Sequence, residues 1–263
     1  MILTSLLAPL RVAVPSRRGV HLVERNLRIY RRQWLLVTSG LLEPVLYLAG
    51  IGIGVGALVG SIDGISYSHF VAPALLASSA MNGAIYEVCF NLFFKLRYAK
   101  LYEAVLSTPM TVGDIAAGEI TFALMRGAVY ALVFVVVMSA MGLVSSAWTV
   151  LAFPAAVLIG FSFAAVGMAC TTFLRSWQDF DLVQLFLLPL FLFSATFYPL
   201  SRYSAPLQAV VQWTPLYHGV HLVRGLTTGA VDAGLLVDVV YLVALGVVGA
   251  AVAAWRLDRL LRK

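Results

Sequence analysis

Long apolar runs that are almost free of charged residues restrict what this chain can fold into. Of its 263 residues, 61% are hydrophobic and only 11% are charged, whereas soluble domains carry about 25% charged residues. A charged side chain at the bilayer centre costs about 2.5–3.5 kcal/mol, which explains why charges are so few. An all-α integral membrane protein is therefore predicted.

Six of the runs are predicted to be transmembrane helices, because about 20 apolar residues suffice to cross the hydrocarbon core as a helix. Their ranges are 35–59, 69–93, 115–141, 149–174, 181–195 with Pro189 interrupting it, and 234–255. Residues 1–34 are predicted to form a cytoplasmic tail with an interfacial helix, and residues 35–263 a six-span domain. Glycines four apart in the first span, Gly52, Gly56 and Gly60, favour close packing against another helix.

The basic residues predict the orientation. Of 18 Lys and Arg residues, seven precede residue 35, three lie at 95–100, Arg175 follows the fourth run and four lie at 256–263. All of these positions fall on one side of a six-span chain, so the positive-inside rule places both termini in the cytoplasm. The expected location is the bacterial inner (plasma) membrane. Residues 256–263 are predicted to be a basic tail.

An amphipathic helix is predicted at 16–34. Its apolar face carries Val20, Val23, Leu27, Tyr30 and Trp34, and its basic face carries Arg18, His21, Arg25, Arg28 and Arg32. This pattern is typical of a helix that lies in the membrane surface, near anionic lipid headgroups. A basic nucleic-acid-binding helix has a similar composition, but a span follows at once, so no nucleic-acid partner is expected.

A second amphipathic helix is predicted within residues 90–119. Phe94, Tyr98, Leu101 and Val105 recur at helical spacing, and another face carries Arg97, Lys100 and Glu103. The residue before a proline disfavours helical angles, so the helix should end at Thr108-Pro109. A solvated loop is the alternative interpretation.

Three charged residues lie inside predicted spans at a similar depth from the cytoplasmic side: Glu43, Glu87 and Arg126. We expect Arg126 to pair with Glu87, or with Glu43 instead, since an unpaired charge there is costly. The alternative is that Arg126 reaches the cytoplasmic surface alone along its own stem. Asp238 lies close to the outer end of the sixth span and is expected to reach water, without a role.

Short outer helices are predicted between the fifth and sixth spans, in residues 196–233. Residues 204–213 form one, and Thr214-Pro215 begins another with a capping hydroxyl and a proline at the first helical position. Neither is long enough to span, so we expect an outer lid over the bundle. The candidate lid residues are Tyr198, Pro199, Pro215, His218, His221 and Arg224.

The lid histidines and the serine in the fourth span are residue types found in metal sites and in catalytic sites. The sequence lacks the further residues that either kind of site would need. His218, His221 and Arg224 recur every third residue, which favours a water-facing polar face or contacts with a substrate headgroup. A HxxH pair without a third ligand argues against zinc, so no metal site is expected. Ser162 lacks a histidine base within a span and is interpreted as a packing residue, so no catalytic residue is assigned.

The end of the fifth span is rich in aromatic residues. They either pack against helices and lipid or line a path for an amphiphilic substrate; the candidates for the path are Phe186, Phe191, Phe193 and Phe197.

One order of residues in the outer segment resembles the signature of the ABC-2 family of ABC-transporter permeases. It consists of Phe197, Tyr198, Pro199, Leu200, Pro206, Leu207, Pro215, Leu216, His218, Leu222 and Arg224. Further stretches are similar to permeases that export rhizobial lipo-chitooligosaccharide nodulation factors and to daunorubicin-type export permeases. They are residues 43–48, 70–73, 78–82, 98–109 and 117–119.

The resemblance implies six spans, a dimer with a second permease protomer, and two copies of a separate nucleotide-binding ATPase subunit. The N-terminal helix and a coupling segment at 93–113 would dock on that ATPase, with candidate contacts at Arg97, Tyr98, Leu101, Tyr102 and Glu103. ATP and magnesium would belong to the partner, and this chain has no GxxxxGK[ST] loop to bind nucleotide phosphates. The implied function is ATP-driven export of an amphiphile.

Two other functions remain alternatives. A secondary transporter or channel would work without ATP and often contains internal repeats, but residues 35–141 and 149–255 show no convincing similarity. A membrane enzyme would need a nucleophile and a base, and no convincing pair is present.

Overall fold

The computed structural model describes residues 18–32, 42, 45–62 and 64–261. Glu43 therefore lies outside the described residues, as do Trp34 and most of residues 35–44. The helices are α1 Gly19–Arg32, α2 Val45–Val59, α3 Tyr67–Phe93, α4 Leu101–Leu106, α5 Val112–Ala140, α6 Ala152–Thr171, α7 Phe180–Phe193, α8 Ala205–Gln212, α9 Pro215–Thr228 and α10 Ala233–Leu261.

The connections are short, and the regular structure of the described residues is helical apart from one small hairpin. Its strands are β1 Ser61–Ile62 and β2 Ile65–Ser66, with Ser61 opposite Ser66. Most of α2 is π-helical, over Leu48–Val55. Short 3₁₀ turns occupy Ala147–Leu151, Trp177–Asp179 and Leu200–Arg202.

Three stretches of the described chain are long and apolar enough to cross a membrane by themselves: Val112–Ala140, Ala147–Thr171 and Ala233–Leu261. The 27 residues of α3 are also long enough, but its polar side chains lower its hydropathy. α7 has only 14 residues. The protein is thus a multi-pass all-α membrane protein, and the number of six spans stays a prediction.

The core forms where α6 packs against α3 and α10. α10 approaches α6 so closely that a Cβ atom at Gly249 would lie 2.8 Å from the backbone nitrogen of Val166. Ser162 is fully buried at the same contact, with its hydroxyl 2.7 Å from the carbonyl oxygen of Leu242. Small residues therefore hold these two helices together, as is common inside membranes, and the packing role predicted for Ser162 is confirmed.

Only part of the apolar face predicted for α1 packs against protein. Leu22, Val23 and Asn26 are buried, whereas Val20 and Leu27 are more than 40% exposed. The buried residues rest on α5, where a Cβ atom at Gly118 would lie 3.0 Å from the carbonyl oxygen of Gly19. The exposed apolar side chains are compatible with the predicted position of this helix in the membrane surface.

The segment after α3 is not the single amphipathic helix that the sequence predicts. α3 continues into a π-helical turn at Phe94–Tyr98, and Lys100 then adopts a left-handed conformation with φ of 46°. That conformation costs a non-glycine residue about 1–2 kcal/mol. The chain consequently bends before α4, and Thr111 with Asp114 forms a capping box that begins α5.

The close helix packing predicted for the first-span glycines is confirmed at Gly52 and Gly56, which face Ser68 at the start of α3. The Ser68 hydroxyl donates to the Gly52 carbonyl over 2.6 Å, so these two glycines are occupied within the same chain. The basic residues that follow residue 255 continue α10 as far as Leu261. Below, the end of the bundle that contains α4 is called the α4 end, and the opposite end the α9 end.

Candidate functional site: buried ion pairs and a lateral cavity

The ion pair that the sequence predicts between Arg126 and Glu87 is confirmed. Arg126 Nη1 donates to Glu87 Oε2, and also to the Tyr30 hydroxyl over 2.6 Å. That hydroxyl and the Asn91 amide donate to the Glu87 carboxylate over 2.9 and 2.6 Å. The Glu87 side chain is 5% exposed and that of Arg126 24%. We call Tyr30, Glu87, Asn91 and Arg126 the Glu87 cluster.

A second charged cluster lies nearer the α4 end and was not predicted. Glu119 on α5 accepts from Lys95 Nζ over 2.7 Å, and from Asn26 Nδ2 and the Tyr102 hydroxyl over 3.1 Å each. Asn26 Oδ1 in turn accepts from Lys95 over 3.2 Å. Burial and the Glu119 carboxylate raise the pKa of Tyr102 well above its usual value, so its hydroxyl stays protonated and donates. We call these four residues the Glu119 cluster.

Both clusters draw on α1, on α3 with its π-helical turn, and on α5, and the Glu119 cluster adds Tyr102 from α4. On α3 and its π-helical turn, Glu87 lies about two helical turns before Lys95. On α5, Glu119 lies in the same way before Arg126. α3 and α5 are adjacent and antiparallel, so each acid meets the base of the other helix. α1 adds one neutral side chain to each cluster, Asn26 and Tyr30, which lie one turn apart.

One signal could have revealed the second cluster. Glu119 lies seven residues before Arg126 on the same face of a predicted span, and an acid there requires a partner. Lys95 was instead counted among the basic residues at 95–100 that predict the orientation, and Asn26 carries no charge that would indicate a buried pair.

The candidate coupling residues do not all lie on the surface. Tyr98 is 60% exposed and Glu103 is exposed, whereas Leu101 is half-buried. Arg97 reaches across to donate to the carbonyl oxygen of Leu174, over 3.1 Å, just before α7. Tyr102 is fully buried, which corrects its assignment as a docking contact.

The role of Asp238 is also corrected, since it does not reach water. It is 3% exposed, and its two carboxylate oxygens lie 2.7 Å from His218 Nδ1 and His221 Nδ1. The hydrogen bond to Asp238 raises the pKa of His221; nearby Asp232 acts in the same direction, while burial and Arg224 oppose it. The histidines thus join α9 to α10. The His218 side chain is 13% exposed and that of His221 42%, so only His221 keeps a substantial open part.

The other lid residues hold the backbone at the α9 end. Arg224 donates to the carbonyl oxygen of Ala195 over 2.8 Å and lies 3.9 Å from the Phe70 ring centroid, so it does not share a water-facing surface. Tyr198 packs on Tyr203, with ring centroids 4.7 Å apart. Pro199 and Pro215 begin a 3₁₀ turn and α9, respectively.

A cavity of about 300 Å³ opens on the side of the bundle, between α2, α3, α5 and α7. Of the predicted path residues, Phe191 lines it, while Phe197 packs behind Phe191 at 5.1 Å between centroids. Phe186 and Phe193 are 76% and 40% exposed and are not among its lining residues. The lining is Tyr47, Leu75, Ser78, Ser79, Asn82, Gly83, Tyr86, Arg126, Tyr130, Gln184, Leu187, Leu188 and Phe191.

The cavity is amphipathic, which suits a molecule with both polar and apolar parts. Ser79, Asn82 and Gln184 provide neutral polar groups, and leucines and Phe191 provide apolar wall. Tyr86 and Gln184 exchange hydrogen bonds of 2.8 and 3.0 Å between α3 and α7. Among the described residues, no group of three or more His, Cys, Asp or Glu side chains could hold a metal ion.

Comparison with known proteins gives a consistent family. Residues 19–227 match the family described as ABC-2 type transporter. The chain is 29% identical to nodulation protein J of Rhizobium leguminosarum bv. viciae over 89% of this chain and 95% of that protein. It is 33% identical to nodulation protein J of Sinorhizobium fredii over 72% of each chain. It is 24% identical to the inner membrane transport permease YadH of Escherichia coli, over 78% of this chain and 79% of that protein.

Proposed function

The chain belongs to the ABC-2 type transporter family and is a permease component of an ABC transporter, and we propose that it is the membrane subunit of an ATP-driven exporter. Its cargo is an amphiphile: a glycolipid, a lipid-linked saccharide or a hydrophobic drug. The cargo leaves the cytoplasm or the inner leaflet. A separate nucleotide-binding subunit supplies ATP and magnesium, since this chain has no phosphate-binding loop of the GxxxxGK[ST] type.

One observation carries the proposal: the exposed segment around α4 is connected to the rest of the bundle by side-chain hydrogen bonds. Tyr98 and Glu103 offer a surface to a soluble partner, while Tyr102 contacts Glu119 on α5 and Arg97 contacts the connection between α6 and α7. A displacement of this segment is therefore transmitted to α5 and to that connection. Small displacements can become larger rearrangements because packed helices switch between discrete arrangements.

The proposed topology has six spans with both termini in the cytoplasm. The α4 end then faces the ATPase, and the short helices α8 and α9 lie at the outer side. The distribution of basic residues supports this orientation, and the inner membrane named for the Escherichia coli relative supports the location.

Two permease protomers are proposed to meet along the first and fifth spans. α7 contacts little else in the described chain, and its exposed side includes Leu185 and Phe186, at 64% and 76%. The cavity opens beside this surface, so a dimer would enclose it as the cargo path. The exposed free cysteine, Cys170, is first replaced by serine. In this Cys170→Ser background a disulfide should form readily between two copies of the Phe186→Cys variant, and not between copies of Val248→Cys, on the exposed side of α10.

The function is tested by purifying the chain with the ATPase subunit that accompanies it in its own cells. We expect native mass spectrometry to show two permeases with two ATPases, and ATP-dependent movement of a fluorescent NBD-glycolipid in proteoliposomes. Movement of the same probe by the permease alone, without an ATPase, would contradict the proposal.

A further inference from the structure

We infer that Glu119 is a positioning residue that holds α4 at a fixed place relative to α1, so that docking of the ATPase on α4 moves both together. This inference rests on the proposed function. It concerns a residue that no docking partner touches, because Glu119 is 5% exposed and Tyr102, its contact on α4, is fully buried.

Glu119 is the one acceptor around which four separate segments of the described chain meet. Oε2 receives Lys95 from the π-helical turn and Asn26 from α1, and Oε1 receives Tyr102 from α4. The carboxylate itself belongs to α5. Each carboxylate oxygen is therefore occupied, and moving any one segment leaves a buried polar group without its partner.

The bend at Lys100 brings Lys95 and Tyr102, which lie on either side of it, to the same carboxylate. Lys100 holds a left-handed backbone conformation between Lys95 and Tyr102, and both of these side chains reach the same carboxylate. Non-glycine residues rarely keep such a conformation unless surrounding contacts over-determine it. The Glu119 cluster supplies those contacts from both sides of the bend.

A second connection lies at the other end of α4. Arg18 Nη1 donates to the carbonyl oxygen of Pro109 over 2.6 Å, so the region just before α1 also contacts the region just after α4. α1 and the coupling segment are thus joined both before and after Tyr102. They form one rigid unit at the α4 end, and Glu119 is its buried centre.

The test begins with the permease alone, in nanodiscs, so that it does not depend on a partner. Glu119→Gln keeps the shape of the side chain but removes the charge that Lys95, Asn26 and Tyr102 share. We expect amide hydrogen exchange of Leu101–Leu106 to accelerate by about ten- to a hundredfold, because hydrogen bonds to a buried charge are among the stronger ones. Asp181→Asn, at an exposed carboxylate on α7, is the matched control and should leave this exchange unchanged.

The same variants are then examined in complex with the ATPase. The reporter is the labelling rate of a Ser201→Cys variant near α8 by a membrane-impermeant maleimide, in a Cys170→Ser background. We expect Mg·ATP to change this rate in the parent complex, and Glu119→Gln to abolish the change while the ATPase still binds. A charge exchange, Lys95→Glu with Glu119→Lys, should restore it, because Asn26 and Tyr102 can each donate or accept.

The outcomes separate the inference from the function on which it rests. Unchanged exchange of Leu101–Leu106 in Glu119→Gln would overturn the positioning role, as would accelerated exchange with a full response to ATP. If the parent chain binds no ATPase at all, the proposed function fails. The exchange data would then still decide whether Glu119 positions α4.

Discussion

Replacing Arg126 with methionine removes the cation of the Glu87 cluster while keeping much of the apolar stem. Glu87 is 5% exposed and, among the described residues, would keep the Tyr30 hydroxyl and the Asn91 amide as its donors. Breaking a buried ion pair from one side costs about 3–5 kcal/mol, because the remaining charge is left without its counter-ion. Since the Arg126 side chain is 24% exposed, we expect the lower end, about 3 kcal/mol.

The double variant Arg126→Met with Glu87→Gln removes both charges together. Its glutamine can still accept from Tyr30 and Asn91, so we expect it to lie within about 1 kcal/mol of the parent protein. The two changes should therefore be coupled by at least about 2 kcal/mol in a double-mutant cycle, because Glu87→Gln alone also costs free energy by leaving Arg126 without its counter-ion. Arg202→Met, at an exposed arginine in a 3₁₀ turn, is the matched control and should change little.

Reversible unfolding by SDS in mixed micelles, followed by circular dichroism, provides these free energies. If Arg126→Met costs less than about 1 kcal/mol, water already compensates the charge and the pair does not hold the helices together. If the double variant is as unstable as the single one, the loss comes from packing and the electrostatic reasoning is wrong.

Three further predictions concern packing, pH and coupling. Gly249→Ala should destabilise the chain by about 1–3 kcal/mol in the same unfolding assay, because its Cβ atom would collide with the α6 backbone; Gly127→Ala, in open space, should not. The raised pKa of His221 stabilises the folded state fully below about pH 6.5, so the unfolding free energy should fall as pH rises through the raised pKa, and Asp238→Asn should remove that slope. Glu103→Ala should separate ATP hydrolysis from NBD-glycolipid movement without loss of membrane insertion, and normal coupled transport would contradict the coupling role of α4.

The sequence predicted the helices well where a local signal marks their ends. The Thr214-Pro215 pair correctly indicated the start of α9, and residues 204–213 correctly indicated α8. The predicted capping hydroxyl was wrong, because the Thr214 side chain donates to the Val211 carbonyl over 2.7 Å and does not cap α9. The buried charges were informative for a different reason. A charged side chain in a span needs a partner, and the sequence offered few candidates for Arg126.

Other features could not be predicted from the sequence because they depend on which surface faces lipid or on contacts between distant parts of the chain. Val20 and Leu27 are as apolar as the buried residues of α1, and the sequence does not show that protein covers only one side of the helix. The bend at Lys100 is set by tertiary contacts with Glu119 and not by a local glycine. Asp238 was assigned to water because its partners lie on another helix, 17 and 20 residues before it.

If this chain conducts the cargo while a partner on its inner face supplies the energy, Glu103 must lie on the cytoplasmic side and beneath that partner. Its position is measured by maleimide labelling of a Glu103→Cys variant in a Cys170→Ser background, compared between inside-out and right-side-out membrane vesicles. We expect labelling from the cytoplasmic side only, and protection when the ATPase is bound. Labelling from the outside, or labelling that the bound ATPase leaves unchanged, would contradict it.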